Sequence, residues 1–169
     1  MKKIFCISAI CLILFAFESK AQQAIGYINS VSLLNELAEV KAADSELDAL
    51  QKQLQKQGQA MVEAYQAKYK EVSTKEQSGE MSPKQIEEEG AKLKAEEKKI
   101  TDFEQEMNSK VQAKREALYK PILDKINGAI EAVAKEKALK YVFDSSTGIV
   151  LYADDSADIT ALVKAKLNM

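Results

Sequence analysis

The sequence predicts an α+β fold that is mostly α, with a small β-containing body shared between subunits and one long α-helical coiled-coil hairpin per chain. Three observations predict it. Short β-like runs stand near both ends of the chain, the stretch between them is rich in Ala, Leu, Gln, Glu and Lys, and Gln77-Ser78-Gly79 with Ser82-Pro83 breaks that stretch near its middle. Of the 169 residues 7% are aromatic and 30% charged, with Gly 6 and Pro 2, a composition of long helices with little core.

The first 21 residues read as a secretory signal peptide. Met1, Lys2 and Lys3 make a positive start, Ile4 to Phe17 is apolar, and Ser19-Lys20-Ala21 places small residues around a cleavage point after Ala21. The apolar run is short for a membrane span. Cleavage there removes both cysteines, Cys6 and Cys11, and leaves 148 residues with 21 basic and 25 acidic side chains. A thiol-free chain is no disulfide scaffold, and a net negative charge disfavours a nucleic-acid or anionic-membrane partner.

The body is expected over residues 22–39 and 119–169. Its strands fall at about 24–29, 140–144 and 148–152, the last two joined as a hairpin through Ser145-Ser146-Thr147-Gly148. Asn29 and Ser30 are good caps for a helix from Val31, and Asp155 or Ser156 for a final helix at about 156–167. Leu118, Ile122, Ile126, Ile130 and Val133 recur at helical spacing on one face, and Pro121 marks an expected kink. Such a small sheet is expected to complete its core from other copies. The residues assigned to that shared core are Ile25, Tyr27, Ile126, Ile130, Val142, Phe143, Val150 and Leu151.

Residues 40–118 form the expected arm, with a turn near 77–82. Ser82 as N-cap, Pro83 at the first helical position and Gln85 three residues after the cap spell a capping box, so a helix restarts there. On the outgoing arm Leu47, Leu50, Leu54, Gly58, Met61, Tyr65, Tyr69 and Val72 follow steps of 3 and 4 in an eleven-residue period. On the returning arm Ile86, Leu93, Ile100 and Met107 stand seven apart, with Gly90, Glu97 and Glu104 expected between them, a half-polar seam. Apolar side chains that such a seam leaves uncovered are candidate contacts for a client chain: Met61, Tyr65, Tyr69, Met81, Phe103 and Met107.

Catalytic chemistry is poorly supplied. His is absent and Arg115 is the one arginine, so imidazole bases, His-containing nucleophile arrangements and most phosphate forks are missing. No P-loop or dinucleotide fingerprint occurs, and no cofactor is expected. Asp154, Asp155 and Asp158 read as acids at a helix N-terminus and not as a metal site. The runs Glu87 to Glu89 and Glu96 to Lys99 read as solvated faces.

Ile25-Gly26-Tyr27-Ile28-Asn29, the Lys/Glu/Gln/Ala hairpin, Tyr141-Val142-Phe143-Asp144, Ile149-Val150-Leu151-Tyr152 and Asp158-Ile159-Thr160 together resemble the Skp/OmpH family of periplasmic chaperones. The resemblance implies a homotrimer with a small β-barrel body and helical tentacles. It also implies a periplasmic holdase that works without ATP, holds unfolded outer-membrane proteins between its arms and passes them toward the outer-membrane assembly machinery. One departure stands out. Family members carry basic arm tips and bind lipopolysaccharide, whereas residues 60–85 here contain Lys68, Lys70, Lys75 and Lys84 against Glu63, Glu71, Glu76 and Glu80, which argues against lipopolysaccharide or membrane-surface binding. The rival reading is a structural or adaptor coiled coil of the envelope that binds one folded partner.

Overall fold

The computed structural model describes residues 24–169, and the expected signal peptide and its cleavage point lie outside them. In chain order the elements are strand β1 (Ile25–Ile28), helices α1 (Ser30–Glu36), α2 (Ala38–Gln77) and α3 (Pro83–Glu136), strand β2 (Tyr141–Asp144) and helix α4 (Thr160–Lys166). The chain is mostly helical, as its composition demands.

Helices α2 and α3 form an antiparallel hairpin. Lys68 pairs with Glu96 near the tip and Lys114 with Glu46 nearer the base, each at 2.6 Å. The 40 residues of α2 extend about 60 Å at ~1.5 Å per residue. At the tip, Gly79 N–H donates to the Glu76 carbonyl and Glu80 N–H to that of Lys75, with Gly79 at φ 74, so a Schellman turn ends α2. The chain restarts through the capping box that the sequence announces. Ser82 Oγ accepts from Gln85 N–H at 3.4 Å, and Gln85 Oε1 accepts from Ser82 N–H at 2.9 Å. Pro121 removes one backbone donor, yet α3 continues through it as a single helix.

At the base the structure corrects the sequence reading. β2 pairs in parallel with β1, Ile25 opposite Tyr141 and Tyr27 opposite Phe143, and residues 148–152 form no strand. The expected hairpin is prevented locally. Asp144 accepts from Ser146 N–H, and its carbonyl accepts from Thr147 Oγ1, both at 2.9 Å, winding Ser145–Thr147 into a 3₁₀ turn that ends at Gly148 with φ 73. Parallel strands need a long crossover, and the whole arm supplies it. The resulting sheet has two strands and is open.

Two helix boundaries also move. Leu37 takes ψ 126 and separates α1 from α2, with Asn29 capping α1 through Ser32 N–H at 2.8 Å. The final helix starts at Thr160, four residues later than expected: Ile159 N–H donates to the Tyr27 carbonyl and Asp158 Oδ1 accepts from Thr160 N–H, with Asp158 held in an extended conformation ahead of the helix. Asp154 caps only the short turn Asp155–Ala157.

The helices give each chain a core of its own. Leu33, Leu37, Val40 and Ala43 pack with Ile122, Ile126, Ala129 and Val133, and α4 closes the cluster with Val163 and Leu167. Ile126, placed by sequence in a shared core, is therefore buried within one chain, and Ile130 and Val142 pack against the same cluster. The 3.6-residue pattern that identified them reports burial, and burial alone does not say whose atoms provide it.

Two predictions come from this base. Ala138 sits at φ 53 just beyond α3, where Leu139 N–H reaches the Ala134 carbonyl, a position suited to glycine. Ala138→Gly should stabilise the protein by about 1 kcal/mol in urea unfolding. Burial pushes the Asp144 carboxyl up, but hydrogen bonds from Ser30 Oγ, from Ser146 N–H and Oγ and from Ser30 N–H outweigh it and hold its pKa at about 2. An unfolded Asp titrates near ~3.9, so this stabilisation is complete above about pH 4 and is lost as pH falls through 2. Asp144→Asn should cost about 1 kcal/mol at neutral pH after solvent screening and flatten the acid limb of a stability profile.

Candidate functional site

On α3 the seam keeps Leu93, Ile100 and Met107 as expected, but its intermediate positions lie one residue before the expected Gly90, Glu97 and Glu104. Glu89, Leu93, Glu96, Ile100, Phe103 and Met107 turn inward at alternating steps of 4 and 3, whereas Gly90, Glu97 and Glu104 are exposed. Glu96 meets Lys68 across the seam, and the hydrogen bond from Lys92 holds the Glu89 carboxyl below its usual range, helped by Lys68 and Lys75. The seam is thus polar near the tip and apolar toward the base.

Phe103 departs from its assignment as a client contact. It is 8% exposed and lies over Gly58, where a Cβ would meet its Cε1 at 3.3 Å. A glycine on the seam face of α2 makes room for this ring, so the ring fills the hairpin and does not face outward. Spacing between Ile100 and Met107 admits Phe103 and Glu104 equally; the signal that selects Phe103 is its apolar ring opposite a glycine on the seam face of α2.

The other candidates stay nearer the surface. Tyr69 is 56% exposed and its ring lies 6.3 Å from that of Tyr65, while Met61, Tyr65, Met81 and Met107 are half-buried. They border shallow grooves along the hairpin. Met107 lies between a groove of about 620 Å³ that includes Gly58, Val62, Ile100 and Phe103 and another of about 450 Å³ that includes Val111 and Arg115. Met61 and Tyr65 share a third groove with Ile100, about 280 Å³. Met81 borders a fourth at the tip with Val72, Lys75 and Glu89. Val62 and Ile100 were missed as groove residues.

A second surface lies on the body. The register places Ile25, Tyr27, Tyr141 and Phe143 on one face of the sheet, opposite the buried face of Gly26 and Ile28. Tyr141 and Phe143 stack at 6.3 Å, and both are substantially exposed. Beyond them Ile149, Leu151 and Tyr152 are 76%, 95% and 86% exposed, while Val150 is half-buried. These large apolar groups beside an open sheet make this region a candidate binding surface. Of the residues assigned to a shared core, Ile25, Tyr27, Phe143, Val150 and Leu151 lie in this region, and Tyr141, Ile149 and Tyr152 join them.

The structure is thus a long two-helix arm on a small mixed body, with apolar side chains exposed on both. The chain belongs to the OmpH-like family: the family model described as "Outer membrane protein (OmpH-like)" matches residues 24–167. This family is non-enzymatic, and membership supports a chaperone role in the broad sense. The chain is 33% identical over 117 residues to an uncharacterized protein of Aquifex aeolicus (strain VF5), covering 63% of this chain and 69% of that one. Among solved structures it shares its fold with an OmpH-like protein of Caulobacter crescentus CB15, provisionally assigned as an outer membrane chaperone. The TM-score is 0.73 at 20% identity, over 88% of this chain and 85% of that one.

The packing of Phe103 on Gly58 generates one prediction. Phe103→Ala should leave the body folded but destabilise the mid-arm by about 3 kcal/mol. Amide exchange should then accelerate around residues 54–61 and 100–107, with β1 and β2 unchanged; uniform acceleration would place the ring in the global core instead.

Proposed function

We propose that this protein is an ATP-independent periplasmic holdase: it binds unfolded outer-membrane proteins between helical arms, prevents their aggregation and assists their delivery to the outer membrane and its assembly machinery. The observation that carries the proposal is the arm itself, whose half-buried Met and Tyr side chains border shallow grooves along a charged, water-exposed hairpin. Each groove offers apolar area without a shaped pocket, which suits weak contact with many sequences. Family membership points the same way.

Several arms around one cavity would multiply such contacts by raising effective concentration. The exposed face of Ile25, Tyr141 and Phe143 with the 149–152 segment supports a body completed by other copies, and three copies follow the resemblance to Skp/OmpH. In that assembly the free segment 149–152 would find strand partners that one chain does not provide. Export behind the N-terminal signal would bring the chain to the periplasm. The near-neutral arm tip supports capture by apolar contact over capture by charge.

Light scattering of a urea-denatured outer-membrane β-barrel protein diluted into the mature protein tests the reading. Suppressed aggregation at stoichiometric assembly is expected, and unchanged aggregation rejects the holdase. Capture of one folded envelope protein in place of barrel clients would favour the adaptor reading. Met61→Asp with Tyr65→Asp should weaken holding and leave assembly intact. Phe143→Asp places a charge on a face exposed in the single chain, so it should yield a folded monomer in sedimentation; a fully assembled variant would remove the body face from the interface.

A further inference from the structure

The distribution of sulfur in this chain is uneven. Its methionines are Met1, Met61, Met81, Met107 and Met169, and its cysteines are Cys6 and Cys11. Within residues 24–169 the only sulfur atoms are therefore the three arm thioethers and that of Met169 at the chain end. Trp and His are absent altogether. Each of the four arm grooves described above is bordered by one of Met61, Met81 and Met107, all half-buried and so reachable by a small solute. The side chains most reactive toward two-electron oxidants thus coincide with the arm's contact surface.

We propose that Met61, Met81 and Met107 form an oxidant-sensitive modification site, at which hypochlorous acid converts the thioethers to sulfoxides and switches the arm grooves from apolar to polar. Each sulfur gives up two electrons and gains one oxygen as an S=O bond. Chlorine is reduced to chloride and one proton is released, so each thioether consumes one hypochlorous acid. The product has a strong acceptor where an apolar, polarizable atom stood, and an apolar side chain lodged against it would bury that oxygen without a partner. Methionine sulfoxide is reducible enzymatically, so the change is reversible. The consequence for clients rests on the holdase reading, whereas the change in the grooves does not.

Met169 provides an internal control, because it is exposed and lies outside the grooves. The experiment treats the mature protein and a Met61→Leu, Met81→Leu, Met107→Leu variant with graded hypochlorous acid. It maps added oxygen by peptide mass spectrometry, and reads binding of the apolar dye anilinonaphthalene sulfonate, helix content by circular dichroism and suppression of barrel-protein aggregation. We expect oxygen on all three arm methionines, roughly tenfold weaker dye binding and client holding, and unchanged helix content. Methionine sulfoxide reductases should restore both. The triple variant should oxidise at Met169, and its dye binding and holding, each measured against its own untreated level, should not respond to the oxidant.

Unmodified arm methionines, undiminished dye binding after oxidation, an equal loss in the triple variant, or loss of helix alongside loss of binding would each overturn the proposal. Failure of the untreated protein to hold any client would reject the holdase reading alone, since the dye and mass measurements would still decide the switch.

Discussion

The parallel pairing of β1 with β2 is the constraint on which the rest depends. It joins the residues just before the arm to those just after it, so the two long helices must leave the body side by side. The pairing is locked locally. Asp144, the last residue of β2, gathers hydrogen bonds from Ser30 at the start of α1 and from Ser146 in the following turn, while Ser145 Oγ reaches the Ile28 carbonyl at the end of β1. On the other flank Gly26 lets β1 approach Leu139 so closely that a Cβ there would stand 2.7 Å from its Cδ1. A side chain at position 26 would have to displace the Leu139 side chain, which packs against the core at the root of the arm.

From that root outward, apolar burial gives way to charge. Leu33, Leu37, Val133 and Val163 are the most deeply buried large side chains, and all lie in the body; farther out Leu54, Leu93 and Phe103 remain buried, with polar neighbours between them. Near the tip the helices meet through Lys68 and Glu96, both about one-third exposed. A partly exposed ion pair contributes ~0–1 kcal/mol, well below a buried leucine or phenylalanine, so local stability should fall along the arm. The Schellman turn and capping box close the tip by backbone and short side-chain hydrogen bonds. The turn itself is thus fixed by local hydrogen bonds, while the pairing of the two helices weakens from root to tip. The groove bordered by Gly58, Phe103 and Met107 lies in the middle of the arm.

Much of this was legible in the sequence because it is written in local chemistry. Ser82, Pro83 and Gln85 specify a helix start whatever surrounds them, and Gly79 supplies the positive φ that ends α2. What was not legible depended on contacts distant in sequence. Residues 149–152 have strong strand character but no strand partner among the described residues, and strand propensity cannot create one. Likewise β2 was sought in a hairpin with its neighbour, whereas Asp144 turns the chain aside and the partner is β1, across the entire arm. The α3 seam was misread through phase: a seven-residue repeat at Ile86, Leu93, Ile100 and Met107 fits intermediate positions at either step 3 or step 4. Only the facing Gly58 decides for Phe103.

The two apolar surfaces left open differ in ways that separate permanent from transient contact. On the body, β-branched and aromatic side chains share one face of a sheet fixed by backbone hydrogen bonds, beside an irregular segment, 149–152, whose own N–H and C=O groups lack a ladder among the described residues. A partner strand could satisfy both needs at once, which favours one geometry and therefore one partner. On the arm, the open side chains are mostly methionine and tyrosine, spaced by whole helical turns and separated by lysine and glutamate. No backbone groups are free there, because both helices satisfy their own, so binding gains only scattered side-chain area. Contacts of that kind are weak singly, tolerant of sequence and quick to release. Under the proposed function, a chain that assembles with itself once and exchanges its other partners would use this division, and the β/α partition of the sequence would provide it.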